Sequence, residues 1–167
     1  GGTPLGVEIR RLLLHGDDVA SRAEALLFAA DRAHHVESLV RPALDRGAVV
    51  VGDRYVDSSI AYQGAGRDLD AVEVASISRW ATEGLVPDLT VLLDVDPATG
   101  RSRRGTEHDR LEAEPAAFHE RVRQHFLDLA AAAPQRYLVL DASRPPQELG
   151  AEVARAVDGL LEGALRA

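Results

Sequence analysis

The chain has 167 residues, 46% hydrophobic and 28% charged, with a formal net charge of -8. That is enough chain for one domain with a hydrophobic core, and no apolar run approaches the roughly 18 residues that would suggest a membrane-spanning helix. The absence of cysteine excludes disulfides, zinc–thiolate sites and thiol nucleophiles, while the acidic balance argues against broad contact with nucleic acid or anionic membrane but leaves room for a local arginine pocket.

In chain order, Thr3 and Pro4 predict a capped helix with a stripe of Leu5, Ile9, Leu12 and Leu13, fading by His15-Gly16. Ser21 and Glu24 have the spacing of a capping box. A long helical region follows over 23–45, with Pro42 as a kink or the start of a final turn and Gly47 as its stop. The β-branched run 48–52 predicts a buried strand with Asp53-Arg54 at its carboxyl end. Residues 58–67, rich in glycine and small polar groups, read as a loop able to wrap a polar ligand. Asp70 predicts the cap of a helix reaching about Glu83, ended by Gly84 and Pro87. A second strand is expected over 89–95, then a short helix leading into an arginine-rich flap over 97–114. A helix over 115–133, a third strand over 137–141 and a last helix over 147–161 complete the chain.

Helices alternating with short apolar strands predict an α/β fold with a mostly parallel sheet. Ligands in such folds lie beyond the carboxyl ends of the strands, where Asp53, Arg54, Asp94 and Asp141 fall. Arg54 has the donor fork that suits phosphate oxygens. Asp53 suits a metal-bound water or a neighbouring arginine, and the same pair also reads as a structural ion pair. Phe28 and Arg32 share a helix face at i and i+4. They read either as core and surface or as a base-stacking pair. Arg101, Arg103 and Arg104 read as a solvated run or as mobile arginines that close on phosphates. The histidines form no HExxH pattern.

Six segments then carry a resemblance: GGTPLG at 1–6, RAEALLFAADRAHHV at 22–36, GDRYVDSSIAYQGAGR at 52–67, PDLTVLLDV at 87–95, DRLE at 109–112 and YLVLDA at 137–142. In these segments and their order the chain resembles bacterial thymidylate kinase, a P-loop nucleoside monophosphate kinase. The resemblance implies one domain over 1–167 with a three-layer α/β fold, its sheet flanked by helices, and an arginine-rich lid around 100–114. It implies transfer of a phosphoryl group from ATP to dTMP, with magnesium, in a cytoplasmic homodimer that binds no nucleic acid polymer or membrane. The helix over 23–45 is its candidate dimer surface.

The implied acceptor residues are Phe28 stacking on thymine, Arg32 at the base edge and Arg54 on the monophosphate. Ser59 and Tyr62 would line the nucleoside, with Gln63 and Arg67 completing the wall. The implied catalytic set is Asp53, Arg54, Arg101, Arg103 and Arg104. Asp53 would approach magnesium through water, and Arg101, Arg104 and Asp141 would serve the cofactor side.

The chain departs from the family pattern in having no GxxxxGK[ST] and no lysine. It also begins inside a turn and has no methionine. The expectation is therefore a longer polypeptide, whose first strand and phosphate-binding loop lie outside these residues. Two alternatives remain: an inactive fragment that keeps partial dTMP binding or dimerisation, and a related kinase acting on another nucleoside or nucleotide.

Overall fold

The computed structural model describes residues 2–67, 69–103 and 109–164. These residues divide into two compact units, the first spanning 1–85 and 105–122, the second 86–104 and 123–167.

The first unit is helical. Thr3 Oγ1 accepts from the Gly6 amide at 2.9 Å, and Pro4 opens α1 (Pro4–His15), as expected of a cap followed by proline. Ile9, Leu13 and Leu14 of this helix form a buried cluster, with Leu27, Phe28 and Leu111 packed against it. Helix α2 (Ser21–His35) starts without a side-chain cap, which corrects the predicted capping box. Glu24 does not turn back to the helix end, because its carboxylate is spent on tertiary partners described below.

The predicted long helix is interrupted. A π turn over Val36–Val40 separates α2 from α3 (Arg41–Asp45), and Pro42 sits in the first turn of α3. Proline has no N–H to give and its ring crowds the carbonyl four residues back, so the preceding turn widens. Gly47, at φ 76°, follows as the left-handed stop.

Two expectations fail in the next stretch. Residues 48–52 form no strand and belong to no ladder, and Val51 is 92% exposed. No strand among the described residues runs beside this segment, and β-propensity without a partner does not make a strand. The predicted loop at 58–67 is helical. It comprises α4 (Val56–Ser59) and a second π segment over Ile60–Gly66. Its small residues allow close packing: Gly64 lies against Ala71, and Gly66 against Phe118. Helix α5 (Ala71–Ala81) is capped by Asp70, whose Oδ1 accepts from the Val72 and Glu73 amides.

The second unit holds the sheet. Strands β1 (Thr90–Asp94) and β2 (Tyr137–Asp141) are parallel, with Thr90 opposite Tyr137 and Asp94 opposite Asp141. Helix α6 (Pro97–Ser102) follows β1, capped by Asp96 Oδ1 on the Thr99 amide at 2.9 Å. Helix α7 (Ala116–Ala132) begins in the first unit and ends in the second, and α8 (Pro146–Ala164) packs on β2. The architecture is α/β with a small parallel sheet and accompanying helices. Two strands form among the described residues instead of the three expected. No helix among the described residues is long and apolar enough to cross a membrane.

Candidate acceptor site

Of the residues singled out between 28 and 67, Arg32, Ser59, Gln63 and Arg67 meet where α2 faces α4 and the second π segment. Helical periodicity arranges them. Glu24, Phe28 and Arg32 recur every four residues on α2, and Ser59, Gln63 and Arg67 recur every four along the facing segment. The two series run in opposite directions and are pinned at both ends. At one end Arg32 Nη1 donates to Ser59 Oγ at 3.1 Å. At the other, Gln63 Nε2 donates to Glu24 Oε1 at 3.0 Å, and Arg67 Nε donates to the same oxygen at 3.4 Å.

Phe28 lies between the pins. It is half-buried, with part of its side chain against the Ile9–Leu13–Leu14 cluster. Both readings of this residue therefore keep a physical basis, since one surface is core and another is accessible. The Arg32 guanidinium stands 5.9 Å from the Tyr55 ring centroid. Burial pushes its pKa down from the usual arginine value, and Tyr55, Asp31 and Asp57 oppose that shift. The guanidinium stays charged, as arginine does in proteins.

Arg54 has a backbone φ of 64°, one of two positive values at non-glycine residues among the described residues. A side chain in the left-handed region costs roughly 1–2 kcal/mol. Such strain is a recurrent mark of functional positions. The exposed guanidinium stands 5.1 Å from the Tyr62 ring centroid. Tyr62 in turn meets Phe118 edge-on at 6.0 Å. Asp53 is exposed beside Arg54.

Glu24 was missed as a tertiary residue. It is fully buried, at 0% exposure, and also accepts from Arg110 Nη2. Arg110 Nε donates to the Leu13 carbonyl at 2.9 Å. Arg67 Nη1 pairs with Glu114, while Arg67 Nη2 is buried without a partner among the described residues. Burial pushes the Glu24 pKa up. Hydrogen bonds from Gln63 and Arg110, with the charges of Arg67 and Arg110, outweigh that and hold it below the ordinary carboxylate value. The spacing Glu24–Phe28–Arg32 was the available signal for this role.

The segment end is tightly packed. A Cβ at Gly66 would lie 2.6 and 2.8 Å from Phe118 ring carbons and 3.2 Å from Val122 Cγ2, and Arg121 Nη2 donates to the Gly66 carbonyl at 3.1 Å. Gly66→Ala is expected to destabilise the protein by about 1–3 kcal/mol through overpacking. Urea unfolding of the two proteins measures it, and an unchanged midpoint would contradict the packing.

The remaining candidates belong to the second unit. Arg101 and Arg103 are exposed at the end of α6, where Arg103 Nη1 donates to the Ala142 carbonyl at 2.7 Å. Arg104 lies outside the described residues. Asp94 is held by both arms of Arg123, Nε at 2.7 Å and Nη2 at 2.9 Å. Those hydrogen bonds keep its pKa below the ordinary value. Asp141 is exposed and accepts from the Ser143 amide at 2.9 Å, shaping the turn after β2. Both aspartates thus do structural work at their strand ends.

Two open grooves among the described residues lie elsewhere, one near Val36, Arg41 and Trp80, the other near Leu26, Leu69 and Ile77. No group of three or more histidine or acidic side chains among the described residues is arranged to hold a metal ion.

The thymidylate kinase family profile matches residues 1–153. A thymidylate kinase of Clavibacter michiganensis is 61% identical over 165 residues, covering 96% of this chain and 78% of the relative. That of Leifsonia xyli is 63% identical over 163 residues, covering 95% and 77%. The more distant Deinococcus radiodurans enzyme is 53% identical over 160 residues, covering 94% and 78%. A profile match over most of the chain, with identities this high across nearly all of it, shows that the chain belongs to the thymidylate kinase family.

Proposed function

We propose that residues 28–67 form the acceptor site of a kinase that converts dTMP and ATP to dTDP and ADP. The observation that carries this reading is the Arg32–Ser59 contact between α4 and the helix that bears Phe28, with the strained Arg54 standing over Tyr62 of the adjoining π segment. Phe28 offers the aromatic face for thymine, and Arg32, held by Ser59, offers donors to the base edge. Base–aromatic stacking is worth about 1–3 kcal/mol. Arg54 takes the 5′-phosphate with a charge-assisted fork, and Tyr62 lines the sugar.

Phosphoryl transfer demands alignment and charge neutralisation more than covalent chemistry. The acceptor side answers the first need by fixing the phosphate and the base at opposite ends of the nucleotide. Arg54 answers part of the second by balancing the acceptor's negative charge. The family implies use of ATP and magnesium. The 167 residues hold no lysine and no GxxxxGK[ST], and the described acidic groups form no metal cluster. Without that loop and its lysine these residues do not fit an ATP–magnesium complex, and apart from the lid arginines their roles lie on the acceptor side. Residues 100–114 are proposed as the lid of a single domain, with Arg101, Arg103 and Arg104 as its arginines. A second copy is proposed to cover part of α2, where Leu26 is exposed. The expected location is the cytoplasm.

Calorimetric titration of the chain with dTMP, thymidine, dAMP and dGMP tests the reading. The expected order places dTMP first, thymidine weaker for want of the phosphate, and the purine nucleotides weakest. Preference for a purine nucleotide would overturn the substrate assignment.

A further inference from the structure

Glu24 stands at an unusual meeting point. It accepts from Gln63 and Arg67 of residues 59–67, the acceptor segment, and from Arg110 beyond it. Arg110 itself is tied to α1 through the Leu13 carbonyl. Arg67 reaches on to Glu114. One buried carboxylate therefore joins α2, the acceptor segment and residues 110–114.

Stability alone gives weak grounds for such a group. Taking a carboxylate and two guanidinium groups out of water is costly, and a well-packed apolar substitute is often as stable. A charge hub does something an apolar contact does not: it fixes direction, because each donor must point at one of two oxygens. Two of the three donors, Gln63 and Arg67, sit on or at the end of the segment that carries Ser59 and Tyr62. Gln63 is 2% exposed, so its amide acts on this contact from inside the protein rather than from an open wall. Arg67 has two donor atoms engaged and its Nη2 buried without a partner among the described residues. Held in this way, the guanidinium keeps a fixed orientation along the seam.

We propose that Glu24 is a positioning residue for the nucleoside end of the acceptor site, acting through Gln63 and Arg67 to set the path of residues 59–67. The proposal rests on the reading of that seam as a dTMP site. It separates the site into two parts: Arg54 governs the phosphate, and the Glu24 hub governs the nucleoside wall.

The separation supplies the test. The ratio of dTMP to thymidine affinity reports the phosphate contact, whereas thymidine affinity reports the wall. Titration calorimetry of Glu24→Gln, which keeps the shape but removes the charge, is expected to show thymidine and dTMP affinities lowered together by about tenfold, a change on the scale of one lost charge-assisted hydrogen bond. The ratio stays at the wild-type value. Glu24→Asp keeps the charge but withdraws it by one methylene, and is expected to recover part of the loss. Wild-type thymidine affinity in a folded Glu24→Gln protein overturns the proposal, as does a loss confined to the dTMP-to-thymidine ratio. If Glu24→Gln does not fold, Arg110→Gln removes one donor and leaves the carboxylate charged. It too should weaken thymidine severalfold, and unchanged affinity overturns the proposal. A wild-type chain that binds neither ligand overturns the acceptor-site reading itself, a result distinct from wild-type binding that survives loss of the Glu24 charge.

Discussion

Arg54→Gly is expected to weaken dTMP binding by roughly 10- to 100-fold while leaving the protein about as stable as before. The two effects have different origins. A charge-assisted hydrogen bond to phosphate contributes about 1.5–3 kcal/mol, and glycine supplies none. On the stability side, glycine accepts the observed φ of 64° without strain, a gain of roughly 1–2 kcal/mol. Loss of the exposed contact with the Tyr62 ring costs about 0.5–1 kcal/mol, and the greater freedom of unfolded glycine removes a similar amount. Arg54→Ala separates the effects, because alanine loses the guanidinium but keeps the backbone strain. Titration with dTMP and urea unfolding measure both proteins. Wild-type affinity in Arg54→Gly would remove Arg54 from the site.

Glu24→Ala is expected to cost about 3–5 kcal/mol of stability at neutral pH. Removing one partner of a buried ionic group leaves the others uncompensated, and here Arg67 and Arg110 both lose their shared carboxylate. A domain is stable by only about 5–15 kcal/mol, so the change is a large share of the whole. The pH dependence carries a definite sign. The folded-state pKa of Glu24 lies below its ordinary value of 4.5, so the folded protein binds this proton less readily than the unfolded chain. Its contribution is complete above that ordinary value and disappears as pH falls through the lower folded-state pKa. The groups facing it are Gln63, Arg67 and Arg110, with Glu114 beyond Arg67. The difference between wild-type and variant stabilities should therefore narrow as pH falls below 4.5. Urea unfolding at neutral and acid pH reads this directly, and a constant difference between the proteins would contradict it.

The two residues differ in how far the sequence exposed them. Arg54 was legible because a charged pair follows a β-branched run, although the run itself forms no ladder. Thr3, Asp70 and Gly47 were legible because caps and left-handed stops act within a few residues. Pro42 likewise announced the break in the long helix, though not that the break takes the form of a π turn. Glu24 was hidden by the same local logic. Its position three residues after Ser21 matched a capping box, while its actual partners lie 39, 43 and 86 residues away. Local rules weigh only near neighbours, and tertiary ionic contacts override them. Residues 58–67 misled for a related reason. Glycine and small polar residues usually mark a loop, but here Gly64 and Gly66 permit a helical segment to approach Ala71 and Phe118. The valines at 49–51 show the reverse case, where strong strand propensity meets no partner among the described residues.

In the proposed site, thymine sits on Phe28 at the seam between α2 and the acceptor segment. The chain has three phenylalanines, three tyrosines and one tryptophan, so contacts from a thymine methyl group to individual aromatic side chains can be resolved. The most direct measurement is isotope-filtered nuclear Overhauser spectroscopy of the labelled chain with dTMP bound. Transfer from the thymine methyl and ring protons to Phe28 is the expected result. Transfer only to Trp80, in the groove near Val36 and Arg41, or no contact with Phe28 in a saturated complex, would contradict it.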